Sequence, residues 1–218
     1  IFTNSTVTTT TNILITARLR SFWSGAGTSI DFWGAQLETG AFPTSYIPTT
    51  TATVTRAADI STSVATSVFE SSWYNQTEGT VFADNTNYGV SNTRIVSFSD
   101  NSTSNRFTVA RGTGSSGNIN TTVTVSGVAQ VNSLVLASSL SFGSAAKAAV
   151  AIKASDFAGS ANGLAPVTQA TGSIPTTFSQ ITIGNGEVLG TNTFFGTLRR
   201  ITYWPTRLSN EVLQRITQ

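Results

Sequence analysis

The sequence contains no cysteine, no histidine and no methionine. Without cysteine there is no disulfide framework, no thiolate nucleophile and no zinc-finger spacing. Without histidine as well, Ser/His/Asp and Cys/His catalysis and imidazole-ligated metals are excluded by composition. Charge is scarce: 10% of residues are charged, against roughly 25% in an ordinary globular protein. Twelve Lys and Arg face ten Asp and Glu, for a net charge of +2, and no basic run exceeds Arg199-Arg200. Phosphate binding needs several cations gathered on one face, so a nucleic-acid groove is not expected. No apolar run approaches the ~20 residues that cross a bilayer, and membrane insertion is not expected either. No internal repeat of fixed period appears, which removes solenoids and propellers.

Thr, Ser, Asn and Gly fill the space that charge leaves. Such a surface forms hydrogen bonds without ionising, which suits all-β extracellular or virion proteins. The 218 residues are enough for one sandwich plus a partial module. Ile13, Ile15, Ala17 and Leu19 share one parity and read as a half-buried strand; Ser24-Gly25-Ala26-Gly27 turns it, and Thr28 to Glu38 returns. Residues 1–42 offer too few strands to bury a two-sheet core alone. The start Ile1-Phe2-Thr3-Asn4 is neither a signal peptide nor an initiator sequence. The expectation is therefore that the chain begins mid-protein, with this module completed by preceding residues or by neighbouring chains.

Residues 43–59 read as an extended connector. Pro43 and Pro48 fix φ and remove two backbone donors, and Tyr46 and Ile47 stand between them as pegs. The β-branched run Thr49 to Thr55 keeps the rest of the connector stiff. From residue 60 the pattern becomes many short strands with polar turns. Ser67–Ser71, Gly79–Ala83, Val90–Ser99, Arg106–Arg111, Thr121–Ser126, Ser133–Ser141, Ile181–Gly186 and Thr193–Pro205 read as strands. Ala145–Lys153 has helical propensity, but Val150 and Ile152 lead toward Asn162-Gly163, a hairpin signal, so its later half reads as strand. Ser209 as N-cap, Glu211 in the first turn, and Leu208 and Leu213 at staple spacing predict a short terminal helix over an edge or open end of the sheets.

The stretch WGAQLETGAFPTSYIPTT followed by TRAAD resembles a junction in bacteriophage virion proteins. There a jelly-roll, carbohydrate-binding-like module leads into a concanavalin A-like lectin/glucanase domain of head-spike or tail-fibre chains. Trp73-Tyr74-Asn75 to Gly79-Thr80, Ile152 to Gly163 and Gly196 to Leu213 carry the resemblance further, over most of residues 31–218. It implies an all-β chain: an antiparallel β-sandwich (jelly roll, concanavalin A-like) with a short C-terminal helix over 60–218, preceded by a partial β-module. It also implies a virion location, a homotrimer, contacts with other capsid or tail proteins, and attachment to host-surface glycans. The other reading is a carbohydrate-binding module of a secreted bacterial enzyme or adhesin, which predicts a monomer.

Hydrolysis of a glycosidic bond needs two facing carboxylates. The related glucanases place theirs as E-x-D-x-x-E on one strand, whereas here no two acids lie within five positions of one another. The expectation is a protein that is not an enzyme. Gly112 to Gly117 spells G-x-G-x-x-G, but its flanks read as strands, so it reads as a flexible loop and not a dinucleotide fingerprint. Non-catalytic glycan binding asks for an aromatic platform with planar amides or guanidinia. Tyr88, Arg94, Arg111, Asn185 and Trp23 are the candidates; an indole face matches a pyranose face, although Trp23 reads more readily as a plug over the sandwich end. Trp73, Tyr203 and Trp204 read as core. No cofactor is called for except calcium, the one metal that oxygen ligands alone could hold. Its candidate ligands are Asp84, Asn85 and Asn87, or Asp100 and Asn101; the same residue types are ordinary turn formers.

Overall fold

The computed structural model describes residues 73–88, 92–113 and 117–218, the backbone of short strands at 2–3, 37–38 and 61–63, and residues 46–48, 52 and 54. The chain divides into two compact units, Ile1–Ala58 and Asp59–Gln218. In the first, β1 (Phe2–Thr3) pairs in parallel with β2 (Leu37–Glu38). Tyr46, expected as a peg, is exposed, and Ile47 is half-buried. The strand around Ile13–Leu19, the Trp23 loop, most of the connector and the strand expected at Ser67–Ser71 lie outside the described residues.

The second unit is built from antiparallel strands. They are β3 (Ser61–Ser63), β4 (Glu78–Asn87), β5 (Thr93–Ser99), β6 (Arg106–Thr113), β7 (Asn118–Val125) and β8 (Val128–Ala137), then β9 (Ala145–Lys153), β10 (Phe157–Ala161), β11 (Val167–Gln169), β12 (Gln180–Ile183) and β13 (Gly196–Trp204). One sheet runs β3-β12-β5-β6-β7-β8 and the other β11-β10-β9-β4-β13. Alternation along the strands turns Val81, Ala83, Val150, Ile152 and Phe157 of the five-stranded sheet against Val96, Phe98, Phe107, Val109 and Val123 of the six-stranded one. All are nearly or fully buried, and at ~25 cal/mol per Å² their burial is the main force joining the sheets. The fold is the all-β antiparallel sandwich that the sequence predicts.

Between residues 145 and 164 one local expectation is corrected, one strand is new and one turn is as expected. Ala145–Lys153 is strand throughout, because it lies between β4 and β10 and sends Ala146 and Ala148 to the core and Ala149 and Ala151 to the other face. That two-sided burial overrides alanine's helical preference. Strand β10, composed of small residues, was not expected; a turn through Ser155 (φ 59°) precedes it. Asn162-Gly163 then closes the β10–β11 hairpin, both residues at positive φ, with Leu164 N donating to Ala161 O at 2.9 Å.

Helix α1 (Asn210–Ile216) begins where expected, with Ser209 Oγ accepting from Val212 N. It covers neither an edge nor an open end. Leu213, fully buried, packs on Phe82, Ala149, Ala151 and Ala158, flanked by Leu208 and Trp204. The alanines give the outer face of the five-stranded sheet a flat bed on which a helix can approach closely. Trp73, expected in the core, is 38% exposed, held edge-to-face by Tyr74 and Tyr203 at 5.7 and 5.4 Å between centroids.

Candidate functional site

On the outer face of the six-stranded sheet the side chains are polar: Ser97 and Ser99 on β5, Arg106 and Thr108 on β6, Thr124 on β7, Gln180 and Thr182 on β12. Arg94 joins them through a bulge. The β5–β6 register shifts between Arg94 and Val96, so that Ile95 and Val96 both enter the core. Simple alternation from Phe98 would have turned Arg94 inward; the extra residue turns it out.

The connection between β12 and β13 folds back across this face. Asn185 shapes it from within: its Oδ1 accepts from Gly186 N (3.2 Å) and Gly190 N (3.0 Å), and its carbonyl accepts from Ser97 Oγ and Thr182 Oγ1. Gly186 N donates to Thr191 O. Ser99 Oγ and Gln180 Nε2 both donate to the Glu187 carbonyl at 3.1 and 2.5 Å. The Glu187 side chain is thereby driven against the sheet and is 2% exposed.

Two guanidinia meet it there. Arg106 Nη1 lies 2.9 Å and Arg94 Nε 3.4 Å from Glu187 Oε1. Arg106 Nε also donates to Thr124 Oγ1 (3.2 Å), and Arg94 Nη1 to Asn92 Oδ1 (2.9 Å). Those bonds fix both planes and leave the Nη2 groups without a partner among the described residues. The cluster holds two cations and one carboxylate, and its arginine side chains are 13% and 23% exposed. A pair of oriented guanidinium edges in a partly desolvated setting is suited to a planar anion such as a carboxylate.

Of the residues singled out in the sequence, Arg94 and Asn185 come together here. Tyr88 is half-buried on the neighbouring connection, its N–H donating to Phe195 O. Arg111 is fully buried. Its Nη1 donates to Asn85 Oδ1 (2.9 Å) and its Nη2 to Ser144 O (2.9 Å) and Ser144 Oγ (3.2 Å); burial lowers its pKa. It faces carbonyls inside the sandwich, not solvent. Trp23 lies outside the described residues.

The proposed calcium ligands do not converge. Asp84 lies on the outer face of β4, bonded to Arg199 at 2.7 Å, while Asn85 and Asn87 are buried on the inner side, donating to Ala146 O and Thr93 Oγ1. Strand alternation separates them. Asp100 is bonded to Ser102 and Asn105 in its turn. Burial pushes its pKa up, but those hydrogen bonds outweigh it and hold the carboxyl below its usual range. Among the described residues no three His, Cys, Asp or Glu gather as a metal group.

Glu187 and Arg106 escaped the sequence reading. Arg106 alternates with Phe107 and Val109, which marks it as outward-facing. Glu187 is the one acid in the glycine-flanked run Gly184 to Gly190, but nothing local announces that this run folds onto the sheet.

No protein-family model matches the chain, and no curated protein matches it in sequence. Solved structures do share its fold. The CBM40 module of the Ruminococcus gnavus IT-sialidase, bound to α2,3-sialyllactose, superposes with a TM-score of 0.53 at 15% identity, covering 66% of this chain and 84% of that one. The NanB sialidase of Streptococcus pneumoniae matches with a TM-score of 0.55 at 14% identity, over 72% of this chain and 26% of its own. Domain 4 of AbnA, an extracellular arabinanase of Geobacillus stearothermophilus in complex with arabinotriose, matches at 0.50 and 10% identity, over 66% and 68%. At such identities the likeness defines a class by fold alone, the jelly-roll β-sandwich.

Proposed function

We propose that the Asp59–Gln218 unit is a non-catalytic glycan-binding module that takes acidic sugars on the outer face of its six-stranded sheet. The observation that carries this is the Arg94–Glu187–Arg106 cluster: two guanidinia locked by one buried carboxylate, each with an amino group left for a ligand. Support comes from the fold, which is shared with a module solved with sialyllactose, a carboxylate-bearing glycan. What supports the non-catalytic reading is that four acids among the described residues are held apart by cations, Glu78 by Lys153, Asp84 by Arg199, Asp156 by Arg207 and Glu187 by its two arginines, and that Asp100 is held by Ser102 and Asn105. A hydrolase needs two carboxylates free to face each other across a bond.

Titration calorimetry of the whole chain with α2,3-sialyllactose and with lactose tests the reading. The acidic sugar binds saturably and lactose far more weakly, and neither is cleaved. Equal binding of the two, or none of either, contradicts it.

The setting we propose is a bacteriophage fibre, spike or decoration subunit on the virion surface, trimeric, joined to other virion proteins and bound to host-surface glycans. What supports it is the junction of residues 31–59. The fold favours equally a module from a secreted bacterial enzyme or adhesin. Light scattering of the chain separates them: a trimer favours the virion subunit, a monomer the secreted module.

A further inference from the structure

The guanidinium of Arg94 is held by more than Glu187. Asn92, just before β5, and Asn192, on the β12–β13 connection, close a triangle of hydrogen bonds with it. Arg94 Nη1 donates to Asn92 Oδ1 at 2.9 Å, Asn192 Nδ2 donates to Asn92 O at 3.0 Å, and Arg94 N donates to Asn192 O at 2.9 Å. Asn92 N is fixed as well, donating to Gly112 O on β6. Both asparagines stand in the left-handed region, at φ 58° and 48°, where glycine would meet the demands of the backbone alone.

The triangle determines which way each amide faces. A guanidinium can only donate, so Asn92 must show it the side-chain oxygen; a backbone carbonyl can only accept, so Asn192 must show it the side-chain NH2. What remains is an NH2 group on Asn92, a donor, and an amide oxygen on Asn192, an acceptor. Neither has a partner among the described residues. Asn92 is exposed and Asn192 half-buried. The path from Arg94 Nη2 to Asn92 Nδ2 crosses one guanidinium, one hydrogen bond and one amide, less than ~8 Å. Substituents on opposite sides of a single pyranose ring cover that distance.

We infer that Asn92 and Asn192 are the specificity-determining edge of the site, and that they bind an acylamido group on the same sugar ring whose carboxylate lies at Arg94 and Arg106. This rests on the function proposed above and names its substrate class: N-acylated acidic sugars, as against plain uronic acids. An acylamido group is an acceptor and a donor in one plane. Its carbonyl accepts from Asn92 Nδ2, and its N–H donates to Asn192 Oδ1. A hydroxyl in the same position engages one of the two and leaves the other to water. Because the triangle already fixes both amides, binding orders little that was free.

The test compares N-acetylneuraminic acid with its deaminated counterpart, the 3-deoxy-nonulosonic acid that keeps the carboxylate and has a hydroxyl in place of the acetamido group. Both are titrated by NMR into the whole chain and into Asn192→Gly, chosen because glycine accepts the left-handed backbone, with folding of the variant verified by its melting transition. The parent is expected to bind the acetamido sugar about three- to tenfold tighter, and in Asn192→Gly that preference disappears. Equal affinities in the parent overturn the acylamido assignment and leave the acidic-glycan reading standing, since the carboxylate is common to both sugars. That comparison holds even if the variant does not fold. A preference that survives in the folded Asn192→Gly variant overturns the role given to Asn192. Binding of neither sugar by the parent overturns both the assignment and the acidic-glycan reading.

Discussion

Arg94 and Arg111 are of one type and both sit on adjacent strands β5 and β6, yet they have opposite fates. On β6 the alternation from Phe107 and Val109 continues undisturbed and carries Arg111 into the interior. On β5 the bulge at Ile95 breaks the alternation and carries Arg94 out. The first outcome is legible in the sequence from parity alone; the second is not, because nothing in Thr93-Arg94-Ile95-Val96 marks the extra residue. Arg111→Met should therefore act on stability. Removing the guanidinium strands Asn85 Oδ1 and the Ser144 carbonyl, at ~1–3 kcal/mol for each buried group left unpaired, so a loss of about 3 kcal/mol is expected in the denaturant midpoint. A change under about 1 kcal/mol would contradict the role assigned to it. Two phenols supply a pH dependence. Burial, helped by the charge of Tyr203, raises the Tyr74 pKa, and burial raises that of Tyr203. An unfolded tyrosine ionises near pH 10, so the folded state holds the neutral form longer. Their contribution is complete below about pH 10 and is lost as pH rises above it, by up to ~1.4 kcal/mol per pH unit for each group. Denaturation followed from pH 9 to 11.5 should show that fall, with a shallower slope in Tyr74→Phe.

Helix α1 shows how much an element owes to local signals and how much to its bed. Its start was readable: Ser209, Glu211 and the Leu208/Leu213 spacing are capping and staple chemistry that operates within one turn. Its position was not, because the alanine stripe it lies on comes from β9 and β10, far away in sequence, and the same alanines suggested a helix at 145–153. The two contributions can be separated. Ser209→Ala should cost about 1 kcal/mol; Leu213→Ala, fully buried against Phe82 and the alanines, should cost about 2–5 kcal/mol. Equal effects in equilibrium unfolding would show that the cap, not the packing, holds the helix. The β12–β13 connection is the opposite case. The strand expected over Ile181–Gly186 stops at Ile183, and the run Gly184-Asn185-Gly186-Glu187 is a turn whose burial depends on Ser97, Ser99 and Gln180, contacts that only the completed sheet creates. The outward sheet residues were thus legible as polar, and the loop that organises them into a site was not.

At the scale of the molecule, a chain poor in charge places two cations and one carboxylate together on a neutral polar face. Electrostatics there should depend on those three groups and little else. Binding of an acidic glycan should accordingly weaken as salt rises, and it should survive chelators, since the site rests on guanidinia. The central claim, that Arg94 and Arg106 recognise the acidic group, is tested most directly by α2,3-sialyllactose affinity in the parent chain and in Arg94→Met/Arg106→Met, with folding of the variant verified by its melting transition. The account predicts saturable binding by the parent and at least a roughly hundredfold loss in the folded double variant, about 1.4 kcal/mol or more for each guanidinium removed. Binding that persists undiminished in the folded double variant would contradict it.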